Sequence, residues 1–249
     1  MDFSICLTAT AINEALINTV KSLSKLDYPK ENIKASLFIN GPHTESELLE
    51  IGSFLDWNQI IATDESLGPS RAKNVALDMA RTKWAVLLDG DDFLLPSALS
   101  QYEKIISQNP NLMVGCEYSI INKIDGNMFH PSKKEEYWAF LLAQKERALT
   151  TAACGRPILF NTKHLIPFDC QFSFGEERKL MIDYWKAGYV THIMTTASYL
   201  YVIEMAKVKN DPQQLKTISD LCKSTNPKIE IADFNPLISK LDLEFMRYL

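Results

Sequence analysis

The sequence lacks the features that mark several large functional classes. No apolar stretch approaches the roughly 20 residues needed to span a bilayer, so no membrane-spanning helix is expected. The opening residues, MDFSICLTATAIN, show no basic region followed by a long apolar run, so no signal peptide is expected. The cysteines, Cys6, Cys116, Cys154, Cys170 and Cys222, are odd in number and never fall in a CxxC spacing. That argues against a zinc ribbon or a disulfide framework and for buried thiols in a reducing compartment. His43, His130, His164 and His192 have no metal-ligand spacing either. Positive charge is also short: 26 Lys and Arg face 31 Asp and Glu, a formal net charge of -5, which argues against a nucleic-acid partner. A cytoplasmic location is expected, with peripheral contact at the inner membrane face left open.

What is present is an alternation of strand and helix. Phe3–Leu7 reads as a short buried strand. Apolar positions at Ala15, Leu16, Val20 and Leu23 give a helix over about 12–26, stopped at Asp27-Tyr28-Pro29. Ile33–Ile39 is a second strand closed by the turn at Asn40-Gly41-Pro42. Thr44–Leu55 is a helix with Thr44 and Glu47 as a capping box. Ile60-Ile61 is a short strand, Pro69–Ala80 a helix, and Lys83–Leu88 a fourth strand. The pattern predicts an α/β fold, a mainly parallel sheet with helices on both faces. Ligands of such sheets bind beyond the carboxyl ends of the strands. Asn40-Gly41, Gly68–Asn74 and Asp89–Asp92 all fall at such ends.

Further on, helices are expected at Ser97–Gln108, Tyr137–Leu149, Glu176–Ala187 (with Gly188 as C-cap) and Pro212–Lys223. Strands are expected at Leu112–Ile121 and Pro157–Phe160, with a turn at Asn122–Asn127. Trp138, Trp185, Tyr199 and Tyr201 are expected in the core. Leu237, Leu241, Phe245 and Leu249 recur at helical spacing near the end, an amphipathic face expected to pack on the domain or a partner chain, with a membrane surface the other choice. One domain over 1–249 is the simplest organisation: a nucleotide-binding first half over about 1–108, a variable second half over about 109–206 and a helical extension over about 207–249. Homo-oligomerisation is left open.

The chemistry concentrates at Asp89-Gly90-Asp91-Asp92, three carboxylates in four residues directly after an apolar strand. They repel one another unless a cation compensates them, and oxygen-only ligands favour a hard ion such as Mg²⁺ or Mn²⁺. The alternative is a solvated acidic turn with Asp92 capping the next helix.

Three blocks then carry a resemblance. The run GPSRAKNVALDMARTKWAVLLDGDDFLLPSAL resembles the central signature of the family 2 glycosyltransferases. SLSKLDYPKENIKASLFINGPHTE is similar to their first helix, Tyr-Pro turn and second strand. FDCQFSFGEERKLMIDYWKAGY is similar to their acceptor-side signature. Together they cover roughly residues 4–190. The resemblance implies a GT-A fold and an inverting hexosyl- or N-acetylhexosaminyl-transferase, with a nucleoside-diphosphate sugar as donor (a UDP-sugar first) and a surface glycan or lipid-linked acceptor. By position it implies that Asp91 binds the Mn²⁺ or Mg²⁺ with Asp92 supporting it, that Asp89 contacts the nucleoside, and that Arg71, Lys73 and Asn74 approach the nucleotide and diphosphate. Thr8, Asn40 and Gly90 complete the expected nucleotide-sugar site. Glu177, supported by Glu176, matches the general base that takes the proton of the acceptor hydroxyl.

The chain departs from the family pattern in several places: the first strand runs into Thr8-Ala9-Thr10-Ala11, Asn40 stands where an Asp usually recognises the nucleotide base, and Glu177 stands where the general base is usually an Asp. No late His follows Tyr199-Leu200-Tyr201, where Glu204 stands instead. Other readings remain beside this one. Glu176 and Glu177 suit any helix start, and Arg71 and Lys73 suit a solvated helix face. The whole chain could be a degenerate domain acting as a binding or scaffolding subunit. It could also be another nucleotide-phosphate transferase of similar fold.

Overall fold

The computed structural model describes residues 1–117, 120–122, 128–129, 134–194, 199–203, 211–232 and 242. The strands are β1 (Phe3–Ala9), β2 (Ile33–Asn40), β3 (Trp57–Thr63), β4 (Trp84–Asp89), β5 (Phe93–Leu94), β6 (Val114–Glu117), β7 (Ile120–Asn122), β8 (Met128–Phe129), β9 (Arg156–Asn161), β10 (Thr191–Met194), β11 (Tyr199–Ile203) and β12 (Ile229–Ala232). The helices are α1 (Glu14–Leu23), α2 (Glu45–Gly52), α3 (Pro69–Asp78), α4 (Ala98–Gln108), α5 (Lys134–Thr151), α6 (Glu176–Lys186) and α7 (Pro212–Lys223).

Among the described residues, eight strands form the central sheet in the order β12-β10-β6-β9-β4-β1-β2-β3. All its pairings are parallel except those of β9, which runs antiparallel between β4 and β6. The expected mainly parallel sheet is therefore present. Every residue of β1 is buried, as a central strand covered on both faces must be. Its neighbours alternate between two apolar layers. Ile5 and Leu7, with Val86 and Leu88 of β4, pack with Leu16 and Val20 of α1 and Tyr102 of α4. Cys6, Ala85 and Leu87 face the other way, against Ala72 and Ala76 of α3 and Leu180 and Trp185 of α6. Trp185 and Tyr199 are buried as expected; the side chains of Trp138 and Tyr201, and all of His130 and Glu204, lie outside the described residues.

A second sheet, in the order β5-β11-β7-β8, stands beside the end of β4. It corrects the sequence expectation at Leu112–Ile121. That stretch is two strands rather than one: β6 joins the central sheet and β7 joins the smaller one. The break falls after Glu117, whose buried carboxylate accepts the backbone N–H of Tyr199 at 3.0 Å and so ties β6 to β11. Of the turn expected at Asn122–Asn127, residues 123–127 lie outside the described residues. Within 207–249, α7 is present as expected, and β12 pairs with β10 to make the edge of the central sheet. Leu237, Leu241, Phe245 and Leu249 lie outside the described residues. Asp242, amid them, is buried and accepts from the Ser97 N–H at 3.0 Å and the Ser97 hydroxyl at 2.6 Å, at the start of α4. No helix among the described residues is long and apolar enough to cross a membrane.

Candidate active site

Strand register builds one wall of the site. β1 and β4 are parallel with Thr8 paired to Asp89, so both side chains emerge at the carboxyl edge of the sheet, where the Thr8 hydroxyl donates to Asp89 Oδ1 at 3.1 Å. The chain turns at once, with Gly90 N–H donating to the Thr8 carbonyl at 2.7 Å and Asp92 N–H to the Asp89 carbonyl at 3.1 Å. Gly90 is required by close approach: a Cβ there would lie 2.8 Å from Ala9 Cβ and 3.0 Å from the Thr8 carbonyl oxygen. The three carboxylates diverge in environment. Asp91 is exposed, Asp89 half-buried and Asp92 fully buried. Asp92 does not cap α4; it accepts a very short hydrogen bond from the Tyr199 hydroxyl of β11.

The facing wall comes from α6. Gly175, with φ +70°, turns the chain into this helix, and the first-turn acids Glu176 and Glu177 face Lys73 of α3. Lys73 is almost fully buried and donates to Glu176 Oε1 at 2.7 Å and Glu177 Oε1 at 2.8 Å. Three further bonds clamp α3 to the segment leading into α6. The Ser70 hydroxyl donates to the Phe172 carbonyl at 2.6 Å, and the Asn74 amide both donates to the Phe168 carbonyl at 2.9 Å and accepts its N–H at 2.7 Å.

Between the walls lies Arg156, which the sequence reading did not single out. The antiparallel register of β9 on β4 pairs Val86 with Leu159; carried three residues further, it sets Arg156 opposite Asp89. The guanidinium contacts Asp89 Oδ2 at very short range, and lies 3.7 Å from both Asp92 Oδ2 and Glu177 Oε1. It also lies 5.6 Å from the ring centroid of Tyr199. A lone Arg after a glycine carries no local signal; only a pairing across 67 residues reveals it.

These charges set one another's ionisation. Burial opposes the charge on Asp89, but Arg156 and Lys73 outweigh it and hold the carboxyl below the ordinary range. Glu177 behaves likewise: burial raises it, and Lys73 and Arg156 bring it below the usual carboxylate value. Asp92 goes the other way, pushed up to about 7 by burial, with Asp89 and Asp91 adding to the effect against Arg156 and the Tyr199 hydrogen bond.

An open cavity of about 1190 Å³ separates the walls. Of the residues expected in the site, Thr8, Asn40, Lys73, Asp89, Gly90, Asp91, Glu176 and Glu177 line it, joined by Arg156. Asn40 is itself engaged, accepting the Leu67 N–H at 2.7 Å and so fixing the loop before α3. Arg71 is exposed and outside the lining; Asn74 is outside it because its amide is spent on Phe168; Asp92 lies behind the wall. Asp89, Asp91 and Asp92 each offer an oxygen, all within 4.8 Å of one another, a donor set that suits a hard divalent cation. His43 and Asp64 approach at 3.8 Å, and His164 and His192 lie elsewhere; none joins this group.

The fold has known counterparts. Structural similarity extends to residues 1–349 of S. aureus TarS in complex with UDP-GlcNAc, with a TM-score of 0.66 at 18% identity, covering 90% of this chain and 66% of that one. It extends also to the mannosyltransferase PcManGT of Pyrobaculum calidifontis in complex with GDP-Man and Mn²⁺, with a TM-score of 0.57 at 13% identity, covering 88% of this chain and 68% of that one. The architecture is thus the GT-A fold expected from the sequence. An uncharacterized glycosyltransferase of Haemophilus influenzae is 26% identical over 134 residues, 51% of this chain, and the chain spans about half the length of that relative (53%). The family model for glycosyl transferase family 2 matches residues 4–168. The match takes in both the Thr8–Asp89 wall and Arg156, and the chain belongs to glycosyl transferase family 2.

Proposed function

We propose that the chain is a metal-dependent inverting glycosyltransferase that moves a sugar from a nucleoside-diphosphate sugar to an acceptor hydroxyl. One observation carries the reading: the acidic turn Asp89–Asp91 and the acidic pair Glu176-Glu177 line a single cavity, with Lys73 and Arg156 between them. This is the division of labour the chemistry needs. One end must hold a diphosphate that develops negative charge as it leaves, and the other must accept a proton from the attacking hydroxyl on the opposite face of the sugar.

Asp91, with Asp89 and Asp92 beside it, would hold Mn²⁺ or Mg²⁺. A bound divalent ion supplies positive charge to the leaving diphosphate. Lys73 and Arg156 add permanent positive charge at the same place, and both lie within reach of Glu177. Lys73 and Arg156 hold Glu177 below the ordinary carboxylate range, in the ionised form that a proton acceptor must have. Thr8 orients the Asp89 carboxylate, and Asn40 shapes the base end of the donor pocket through its hold on the loop at Leu67.

A UDP-sugar is the first choice of donor. Structural counterparts hold UDP-GlcNAc, UDP and GDP-Man, which supports a nucleotide-sugar without fixing the base. The acceptor is read as a surface glycan or a lipid-linked precursor. A screen of UDP-, GDP- and CDP-sugars for thermal stabilisation in Mn²⁺ tests the donor assignment. Stabilisation by one base series is the expected result; no shift with any of them contradicts it.

A further inference from the structure

We infer that Arg156 is a built-in counter-cation that makes divalent-ion binding at the Asp89–Asp92 turn conditional on the donor diphosphate. The inference rests on the metal-dependent reading above and adds an order to it: ion and donor enter together, and the ion alone does not stay.

The geometry is the argument. Of the three carboxylates that could gather an ion, two already face the same guanidinium, Asp89 Oδ2 in direct contact and Asp92 Oδ2 at 3.7 Å from Nε. The guanidinium cannot withdraw by losing its proton, since arginine stays charged at any working pH. Nor is it on a loose stem. β9 is hydrogen-bonded between β4 and β6, the side chain is only 14% exposed, and the Tyr199 ring lies against it. Asp92 is further occupied by the Tyr199 hydroxyl.

A divalent ion approaching this turn therefore meets a fixed positive charge within a few ångströms, in a partly buried site where Coulomb terms are screened less than in water. Asp91 is the one exposed carboxylate of the three. A single carboxylate is a weak site for Mg²⁺ or Mn²⁺, which then depend on substrate oxygens to complete their shell. A diphosphate brings those oxygens together with negative charge that offsets Arg156. Both effects act in the same direction.

The test follows Mn²⁺ by its paramagnetic resonance signal, free against bound, without nucleotide and with UDP. Wild type should leave Mn²⁺ free when it is alone and bind it when UDP is present. Arg156→Gln should bind Mn²⁺ without nucleotide at least about tenfold more tightly than wild type. Arg156→Lys, which keeps the charge, should behave as wild type, and adding Asp91→Asn to Arg156→Gln should abolish the gain. Equal nucleotide-free affinity in wild type and Arg156→Gln would overturn the role of Arg156, and so would tight Mn²⁺ binding by wild type alone. Should Arg156→Gln fail to fold, thermal melting of wild type still decides: Mn²⁺ alone stabilising the protein as much as Mn²⁺ with UDP overturns the inference. Absence of any UDP binding, with or without Mn²⁺, instead contradicts the donor reading; the nucleotide-free comparison of the variants reads Arg156 separately.

Discussion

Lys73 Nζ lies 2.8 Å from Glu177 Oε1, so the cation assigned to the donor diphosphate rests on the carboxylate assigned to the acceptor. Glu176 Oε1 accepts a second hydrogen bond from the same ammonium at 2.7 Å. Burial disfavours the charge on Lys73, but Glu177 and Glu176 more than compensate and hold the ammonium above its ordinary range. Breaking a buried ion pair from one side leaves the remaining charge unsolvated. Lys73→Met should therefore cost about 3 kcal/mol of stability, read as a lower denaturant midpoint with an unchanged slope. A midpoint equal to wild type would show that the pair is not structural.

Glu177→Gln keeps the shape of the side chain and removes its basicity. Transfer should fall by roughly a hundredfold or more while donor affinity stays within a few-fold of wild type. Single-turnover transfer and calorimetric donor binding separate the two effects. A variant transferring sugar at the normal rate would disprove the assignment of the base.

Gly90→Ala should be costly out of proportion to one methyl group. The added Cβ would press on Ala9 Cβ at 2.8 Å and on the Thr8 carbonyl oxygen at 3.0 Å, the latter being backbone that cannot rotate away. A loss of about 1–3 kcal/mol is expected, together with weaker donor binding because Asp89 and Asp91 flank the displaced residue. Thermal melting and nucleotide binding measured on the same sample check both parts; a neutral substitution would mean that the turn is looser than its contacts imply.

Much of this site is legible in the sequence because its signals are local. The apolar run Trp84–Leu88 leading into Asp89 marks a buried strand ending in charge, and Pro69–Ala80 marks the helix that presents Lys73. Arg156 is not legible, because its meaning comes from β9 running antiparallel to β4 across a long separation in sequence. Asn74 illustrates the converse. By position it resembles a nucleotide contact, yet its amide is satisfied by both polar groups of the Phe168 backbone, a tertiary arrangement no spacing encodes. The strand predicted over Leu112–Ile121 is split for a related reason, since Glu117 is drawn to the Tyr199 amide, 82 residues away.

Two buried groups should make stability depend on pH below neutrality, with opposite signs. Burial lowers the pKa of His192 from its ordinary 6.5, with Glu230 opposing. Below pH 6.5 the unfolded chain therefore takes up a proton that the folded one refuses, and stability falls as pH falls. Asp92 does the reverse: folded it titrates near 7, unfolded near 3.8, so between those values the folded state holds the extra proton and stability rises as pH falls. In metal-free buffer, His192→Gln should lift stability at pH 6 relative to pH 7.5, whereas Asp92→Asn should remove a gain on acidification. Each slope is bounded by about 1.4 kcal/mol per pH unit, the value for one proton. Identical pH profiles for wild type and both variants would contradict the burial argument.

In the proposed function, this cavity activates a nucleoside-diphosphate sugar at Asp91. Release of the nucleoside diphosphate from a panel of nucleotide-sugars, followed in Mn²⁺ and again after chelation, tests it most directly. Release from at least one donor is expected in Mn²⁺, lost on chelation and lost in Asp91→Ala. A wild-type protein that neither binds nor turns over any donor in the presence of metal, or an Asp91→Ala variant that works as well as wild type, would contradict it.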